Sequence, residues 1–210
     1  MHKLTRSQPE PQALVDARAS GATDWDAYWF GRGAEKESVQ VDLLLMQHER
    51  CAYCECALDL HQGHIEHFRR KERDEWFPQL TFVWENLYYS CCRNGTCGCH
   101  KDRVLSRDDV DLLIDPCVDN PEDFIQFTYD GGVDIRSGLD ELKTRRAKLT
   151  ISTFGLPNPK LVELRRNALK AYEWLKALSS DQIDDYLANL PDTTPFITAI
   201  YHYFGKRYVS

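Results

Sequence analysis

The sequence lacks any long hydrophobic run. No stretch approaches the roughly 18 to 20 consecutive apolar residues that a membrane-spanning helix needs. The first residues, MHKLTRSQPEPQ, also lack the apolar centre and the small-residue cleavage site of a secretory signal. We therefore expect a cytoplasmic protein with no membrane partner, whose 42% of hydrophobic residues build a folded core.

An excess of positive charge is missing as well. The 210 residues carry a net charge of −7, which argues against tight, unaided binding to nucleic acid. Basic residues are nevertheless concentrated in two places: Arg69, Arg70 and Lys71 follow the segment HIEHF, and Lys101 and Arg103 follow the later cysteines. The local charge therefore permits a phosphate-facing site in an acidic chain.

Cysteine, by contrast, is abundant and clustered. Seven of the eight cysteines lie between Cys51 and Cys99. In a reducing cytosol such a cluster favours metal binding over disulfides. The segment CAYC puts Cys51 and Cys54 at the spacing of a zinc knuckle, which predicts a structural zinc ion. The residues alone leave the second pair of ligands open among Cys91, Cys92, Cys97 and Cys99.

Between the cysteine pairs lies HIEHFRRK, residues 64–71. Side chains alternate along a strand, so Glu66 and His67 point to opposite sides, and one can bind a metal ion while the other faces a water molecule beside it. Asn86 follows in WENLYYSC, and His100 follows the last cysteine of the cluster at a predicted helix start. His64 shares the face of Glu66 and is either a further ligand or a simple strand residue.

These segments resemble the HNH, or ββα-metal, endonucleases. CAYCE, HIEHFRRK, WENLYYSC and CGCHKD carry the resemblance, and IDPCVDNPEDF extends it towards the HNH subunits of Septu-type anti-phage systems, which are also found with retrons. It covers roughly residues 45–170, and Arg70 stands where the family pattern has proline. The resemblance implies an α+β fold: a zinc-stabilised, treble-clef-like ββα-metal core, a small β-hairpin, flanking helices and a helical C-terminal part.

The resemblance also implies roles for single residues. His67 is the expected general base, because a neutral imidazole can accept a proton at physiological pH. Glu66 and His100 are the expected ligands of a catalytic Mg²⁺ or Mn²⁺, and Asn86 is expected to orient His67 through backbone hydrogen bonds. The alternatives are a buried structural histidine and a helix-capping asparagine. Phosphate contacts are expected from Arg69, Lys71 and Lys101.

The family pattern also selects a second zinc pair, Cys91 and Cys97, to join Cys51 and Cys54. Lys101 then follows Cys97 by four positions, as in the C-x-x-x-K ending of the family. Five residues separate the two cysteines, where the common knuckle has two, so an inserted loop is expected between them.

Three segments are predicted along the chain. Residues 1–33 form an N-terminal extension, whose aromatic cluster DWDAYWF either packs onto the core or docks a partner. Residues 34–105 hold the nuclease core with its zinc site, and residues 106–210 hold a hairpin and helices that pack on the core or on a partner. Within them we predict a helix over residues 35–50, a hairpin at FIQFTYDGGVDI, and helices starting at Asn158–Pro159, Ser180 and Thr194–Pro195.

The sequence thus predicts a metal-dependent endonuclease that hydrolyses phosphodiester bonds, with DNA favoured, as an effector in phage defence. The resemblance implies a PtuA-like ATPase subunit as its partner. One alternative is a zinc-stabilised module that binds nucleic acid or protein without catalysis. Another is a nuclease of RNA such as tRNA, since no element that reads bases or 2′-hydroxyls is visible.

Overall fold

The centre of the fold is a two-stranded antiparallel sheet followed by a helix. The computed structural model describes residues 1–6, 9–71 and 76–208. Strand β1 (His64–His67) pairs with strand β2 (Leu87–Ser90), which places Glu66 opposite Tyr88. A short 3-10 turn leads from β2 into helix α4 (Cys97–Val104). All of β2 and the last three residues of β1 are buried, so the sheet lies inside the protein.

In the described part of the chain, three α-helices precede this sheet. The second begins after Asp24, whose carboxylate accepts a hydrogen bond from the backbone N–H of Ala27. The third ends at Met46, short of the predicted end at residue 50, because His48 and Glu49 adopt φ angles of 53° and 56° outside the helical region. The helices are α1 (Gln12–Ala19), α2 (Trp25–Trp29) and α3 (Gly33–Met46).

The described residues of the C-terminal part contain the predicted hairpin and four α-helices. Strand β3 (Ile125–Phe127) pairs with β4 (Val133–Ile135) through a turn in which Gly131 has a φ of 85°, a value that favours glycine. No helix in the described ranges is long and apolar enough to cross a membrane. The four helices are α5 (Glu141–Thr153), α6 (Pro159–Lys170), α7 (Ser180–Ala188) and α8 (Ile197–Tyr203).

Buried side chains from all three predicted segments join one apolar core, to which Trp25, Tyr89 and Ile200 each contribute. The mixed α+β class is confirmed. The aromatic cluster of the N-terminal segment packs onto this core, because Trp25 and Trp29 are buried, whereas Phe30 is 89% exposed. Docking of a partner by this segment stays a prediction.

Candidate functional site

Four buried thiols lie together at the end of the central sheet. They belong to the turn before β1, the residue after β2 and the first residue of α4. Their sulfur atoms all lie within 4.8 Å of one another, and the Cys54–Cys91 and Cys91–Cys97 pairs are 3.6 Å apart. The 3-10 turn accommodates the inserted loop and returns the chain to the cluster. The four are Cys51, Cys54, Cys91 and Cys97.

This cluster fits a structural zinc ion. Tetrahedral coordination with Zn–S bonds of about 2.3 Å places sulfur atoms about 3.8 Å apart, close to the observed separations. Burial raises the pKa of Cys51, but hydrogen bonds from the neighbouring thiols outweigh it and lower that pKa well below its usual range. The contacts with Cys51 in turn raise the pKa of Cys54 and Cys97. Zinc binds thiolates, so binding of the ion would displace the protons that the cluster still holds. The backbone N–H of Cys91 also points to the sulfur of Cys51, at 3.5 Å.

Glu66 is buried on β1 between two nitrogen groups. Its Oε1 lies 2.7 Å from Nζ of Lys101, and its Oε2 lies 3.4 Å from Nε2 of His64. Burial raises the pKa of Glu66, but the positive charge of Lys101 and the hydrogen bond with His64 outweigh burial and lower it. Glu66 is therefore ionised at neutral pH, which a metal ligand requires.

The side chain of Lys101 is fully buried and points inward from α4. Besides Glu66, its ammonium group lies 3.0 Å from Oδ1 of Asp102 and donates to the carbonyl oxygens of His67 at 2.7 Å and Phe68 at 3.3 Å. The phosphate contact predicted for Lys101 does not fit this position, because the ammonium group is surrounded by protein oxygens. It instead ties α4 to the end of β1.

His67 is buried and held in one orientation. Its Nε2 donates a hydrogen bond to the carbonyl oxygen of Thr81 at 2.9 Å, and Trp25 contacts its ring edge-on at a centroid distance of 4.6 Å. Burial lowers the pKa of His67 to about 4, against the opposing effect of the hydrogen bond to Thr81. The imidazole is therefore neutral at pH 7. With the proton on Nε2, the lone pair lies on Nδ1.

Asn86 makes the backbone contacts that its predicted role requires. Its Oδ1 accepts from the N–H of Arg69 at 2.7 Å, and its Nδ2 donates to the carbonyl oxygens of Arg69 at 2.9 Å and Leu80 at 3.2 Å. The amide thus fixes the backbone two residues beyond His67. A helix-capping role is not needed to explain its position.

His100 lies on α4 and contacts the C-terminal segment. Its Nδ1 donates a hydrogen bond to the carbonyl oxygen of Thr153 at 2.9 Å, at the end of α5, and its ring lies beside Gly155. Among the described residues, the groups of three or more metal-binding side chains include neither His100 nor Glu66. With the proton on Nδ1, the lone pair of His100 lies on Nε2, and its role as a metal ligand beside Glu66 stays a prediction.

Arg69 and Lys71 lie partly exposed beyond β1, each beside a carboxylate. A guanidinium nitrogen of Arg69 lies 2.7 Å from Asp111, and Nζ of Lys71 lies 4.0 Å from Asp26. Ion pairs of this exposure are weak, so both cations can exchange their partner for a phosphate.

A pocket of about 140 Å³ lies at the end of β1. It offers two carboxylates, Glu66 and Asp102, as hard donors for a divalent cation. Oε1 of Glu66 faces the ammonium group of Lys101 at 2.7 Å, and Oε2 faces His64. The lining residues are His64, Ile65, Glu66, His67, Arg70, Lys71 and Asp102.

Four further residues support the site without having been assigned to it from the sequence. Thr81 and Trp25 fix His67, Asp102 lines the pocket, and Gly98 lies against Glu66. The contacts of Thr81, Trp25 and Gly98 join residues that are distant in the chain, so local pattern carries no signal for them. Asp102 follows Lys101 directly and could have been considered as an oxygen ligand.

The chain is similar to two curated proteins, each named Septu protein PtuB. The one from Bacillus thuringiensis is 36% identical over 98 residues, which cover 45% of this chain and 35% of that protein. The one from Bacillus mycoides (strain KBAB4) is 28% identical over 180 residues, which cover 73% of this chain and 57% of that protein. No family model matches the chain. The likeness to Septu proteins is confirmed, and each match spans less than two thirds of the relative's own length.

Proposed function

We propose that the chain is a metal-dependent endonuclease with an HNH, or ββα-metal, core that hydrolyses phosphodiester bonds of nucleic acid, with DNA as the favoured substrate. The observation that carries the proposal is a buried carboxylate and a buried neutral imidazole, Glu66 and His67, which border one small pocket. Arg70 and Lys71 add positive charge to the same pocket. Metal-assisted phosphodiester hydrolysis needs a cation ligand, a base and groups that bind phosphate.

His67 is the general base in this proposal. The hydrogen bond to Thr81 keeps the proton on Nε2, so Nδ1 takes the proton of the attacking water. A pKa of about 4 keeps the imidazole unprotonated before the substrate arrives. The negative charge of a bound phosphate then raises that pKa towards the working pH, which makes His67 a better proton acceptor.

Glu66 would hold a catalytic Mg²⁺ or Mn²⁺, with Asp102 as a second oxygen donor from the same pocket. When bound, the ion supplies Lewis-acid stabilisation of the phosphate and of the leaving oxygen. His100 is the further ligand in the proposal: its Nδ1 donates to the carbonyl oxygen of Thr153, which leaves the lone pair on Nε2 for the ion.

Two residues position the reacting groups. Asn86 clamps the backbone of Arg69, and Lys101 holds Glu66 and the carbonyl oxygen of His67, so both fix the end of β1. Arg69 and Lys71 are the proposed contacts to flanking phosphates, since their side chains are partly exposed.

We infer further that the chain is an effector subunit in anti-phage defence and works with a PtuA-like ATPase. The likeness to proteins named Septu protein PtuB supports this inference. A net charge of −7 is consistent with a partner that provides most of the affinity for nucleic acid. The N-terminal segment and the C-terminal helices are the proposed docking surfaces.

The test is cleavage of plasmid DNA and of total tRNA, with and without the partner ATPase. Wild type, His67→Ala and a control, His61→Ala, are compared with Mg²⁺, with Mn²⁺ and with EDTA followed by restored Mg²⁺. His61 is exposed, so its loss should leave cleavage unchanged. Cleavage that requires the metal ion and His67 supports the proposal, and the substrate that is cut separates a DNA nuclease from an RNA nuclease. No cleavage of either substrate in any condition would overturn it.

The second candidate function is a zinc-stabilised binding module. The ion pair between Glu66 and Lys101 favours it, because the ammonium group already neutralises the buried carboxylate. This candidate predicts that binding of nucleic acid or of the partner is the same for wild type and His67→Ala, and that no divalent cation beyond zinc is needed.

A further inference from the structure

A second group of soft ligands lies beside the catalytic pocket, separate from the four-thiol cluster. Nδ1 of His64 lies 3.5 Å from the sulfur of Cys92. The ligand atoms of His64, Cys92 and Cys99 all lie within 4.8 Å of one another. In the structure Cys92 and Cys99 are joined as a disulfide. Reduction of that bond would leave two thiols and an imidazole nitrogen directed at one point.

The other ring nitrogen of His64 faces a carboxylate. Its Nε2 lies 3.4 Å from Oε2 of Glu66, which is fixed on its other side by Lys101. Histidines that bind a metal through one nitrogen usually donate the other N–H to a carboxylate, which sets the tautomer and strengthens the ligand. His64 therefore has both the thiol neighbours and the carboxylate partner of a metal-binding histidine.

We propose that His64 Nδ1 and the thiolates of Cys92 and Cys99 form a second zinc site in the reduced protein. A dithiol reductant breaks the Cys92–Cys99 bond by thiol–disulfide exchange: the reductant is oxidised to its own disulfide, and the two sulfurs take up its two electrons and two protons. Binding of Zn²⁺ then releases the two thiol protons. This proposal goes beyond the proposed function and does not require that the protein cleaves nucleic acid.

The position of the two thiols distinguishes this site from the first one. Cys92 is exposed and Cys99 partly exposed, whereas the four-thiol cluster is buried. Three protein ligands on an accessible surface leave a fourth position for water or another ligand, whereas structural zinc sites are closed by four protein ligands. Because Glu66 would hold the N–H of the zinc-bound His64, occupancy of this site would also fix the carboxylate that borders the catalytic pocket.

The test is the zinc content of the full-length protein, reduced without oxygen by a phosphine that does not chelate zinc and then dialysed against a zinc buffer. We expect two zinc ions per chain for wild type and for the control Cys117→Ser. The double variant Cys92→Ser, Cys99→Ser should bind one. Two ions in the double variant, or one in fully reduced wild type, would overturn the proposal. So would a Cys92–Cys99 disulfide that resists reduction in the folded protein.

A second measurement needs no variant, and so does not depend on whether the substitutions fold. X-ray absorption at the zinc edge of the reduced, zinc-loaded wild type should show a Zn–N distance of about 2.0 Å beside the Zn–S distance of about 2.3 Å. A spectrum explained by sulfur ligands alone would contradict the second site.

A further variant tests the carboxylate partner of His64. Glu66→Gln should lower the affinity of the second site for zinc by about 10- to 100-fold, as expected for the carboxylate partner of a metal-binding histidine.

Discussion

Gly98 is the residue whose replacement tests the packing of Glu66, the proposed metal ligand, most directly. It is the second residue of α4, and a Cβ built on it would lie 2.4 Å from Oε2 and 2.7 Å from Cδ of Glu66. Carbon atoms in contact prefer about 3.5–4.0 Å, so Gly98→Ala places a methyl group about 0.8 Å or more inside that distance. Glu66 cannot move aside freely, because it is buried between Lys101 and His64.

Two responses are open to the protein, and both are costly. A shift of α4 strains a close-packed region, for which overpacking costs about 1–3 kcal/mol. A rotation of Glu66 away from Lys101 leaves the buried ammonium group with Asp102 and two carbonyl oxygens only, and loss of a buried partner costs up to about 3–5 kcal/mol. We expect the smaller cost, about 1–3 kcal/mol, with the protein still folded. Displacement of the carboxylate by about 1 Å should lower metal-dependent cleavage by about 100-fold.

The assay compares Gly98→Ala with Gly33→Ala by urea unfolding and by DNA cleavage. Gly33 is a matched control, since it also lies in the first turn of a helix, and nothing lies within 4 Å of the Cβ position there. Its replacement should stabilise the protein by about 0.4–1 kcal/mol and leave cleavage unchanged. If Gly98→Ala were as stable and as active as Gly33→Ala, Glu66 would not be confined as the contacts imply.

Three further predictions concern zinc, the asparagine clamp and pH. Cys91→Ser should abolish cooperative unfolding and the zinc of the four-thiol cluster, because structural zinc contributes about 10–16 kcal/mol, as much as a whole domain has. Asn86→Ala should cost about 1–3 kcal/mol in urea unfolding and lower cleavage, since it leaves backbone groups of Arg69 unpaired. Burial lowers the pKa of His2 more than the contact with Glu55 raises it, so this pKa is lower in the folded protein than in the unfolded chain. The unfolded chain therefore binds a proton at His2 more readily than the folded protein does. Stability should therefore fall as pH drops below about 6.5, and His2→Gln should reduce that slope by at most about 1.4 kcal/mol per pH unit.

Each of these has a matched control. Cys117→Ser should keep both zinc and cooperative unfolding, and a Cys91→Ser protein with unchanged zinc would show that this thiol is not a ligand. Asn189→Ala removes an exposed asparagine and should change the free energy of unfolding little. If Asn86→Ala cost no more stability than Asn189→Ala, the clamp would be refuted. His61→Gln should leave the pH slope as it is. If His2→Gln also left it unchanged, the neutral state of His2, to which Arg50 donates at 3.2 Å, would not govern acid stability.

Local pattern predicted those parts of the fold that depend on neighbouring residues. The knuckle at Cys51 and Cys54 and the hairpin turn at Gly131 are set by short-range geometry, and both segments adopt the expected arrangement. The end of α3 was misplaced because His48 and Glu49 take left-handed backbone angles, which nothing in their residue types requires.

The inward direction of Lys101 could not be predicted from local pattern. A lysine in a helix with a basic end is usually solvated, and its burial here depends on Glu66, which lies 35 positions earlier in the chain. His100 likewise bonds to Thr153, in a helix for which no role in the site was foreseen. The spacing of residues along the sequence predicts which residues are candidates for the site. The role of each residue depends on contacts with distant parts of the chain, which spacing does not show.

The same contacts indicate that the predicted core, residues 34–105, does not fix the site by itself. Trp25 covers the ring of His67 from the N-terminal segment and contributes to the burial that lowers its pKa. From the C-terminal segment, the carbonyl oxygen of Phe154 accepts the N–H of Cys97 at 2.9 Å. Cys97 has a φ of 56°, a strained value for a residue with a side chain, so it needs such a contact to keep its sulfur in the cluster. The segments on both sides of the core therefore help to set the positions of His67, the proposed base, and of Cys97, a proposed zinc ligand.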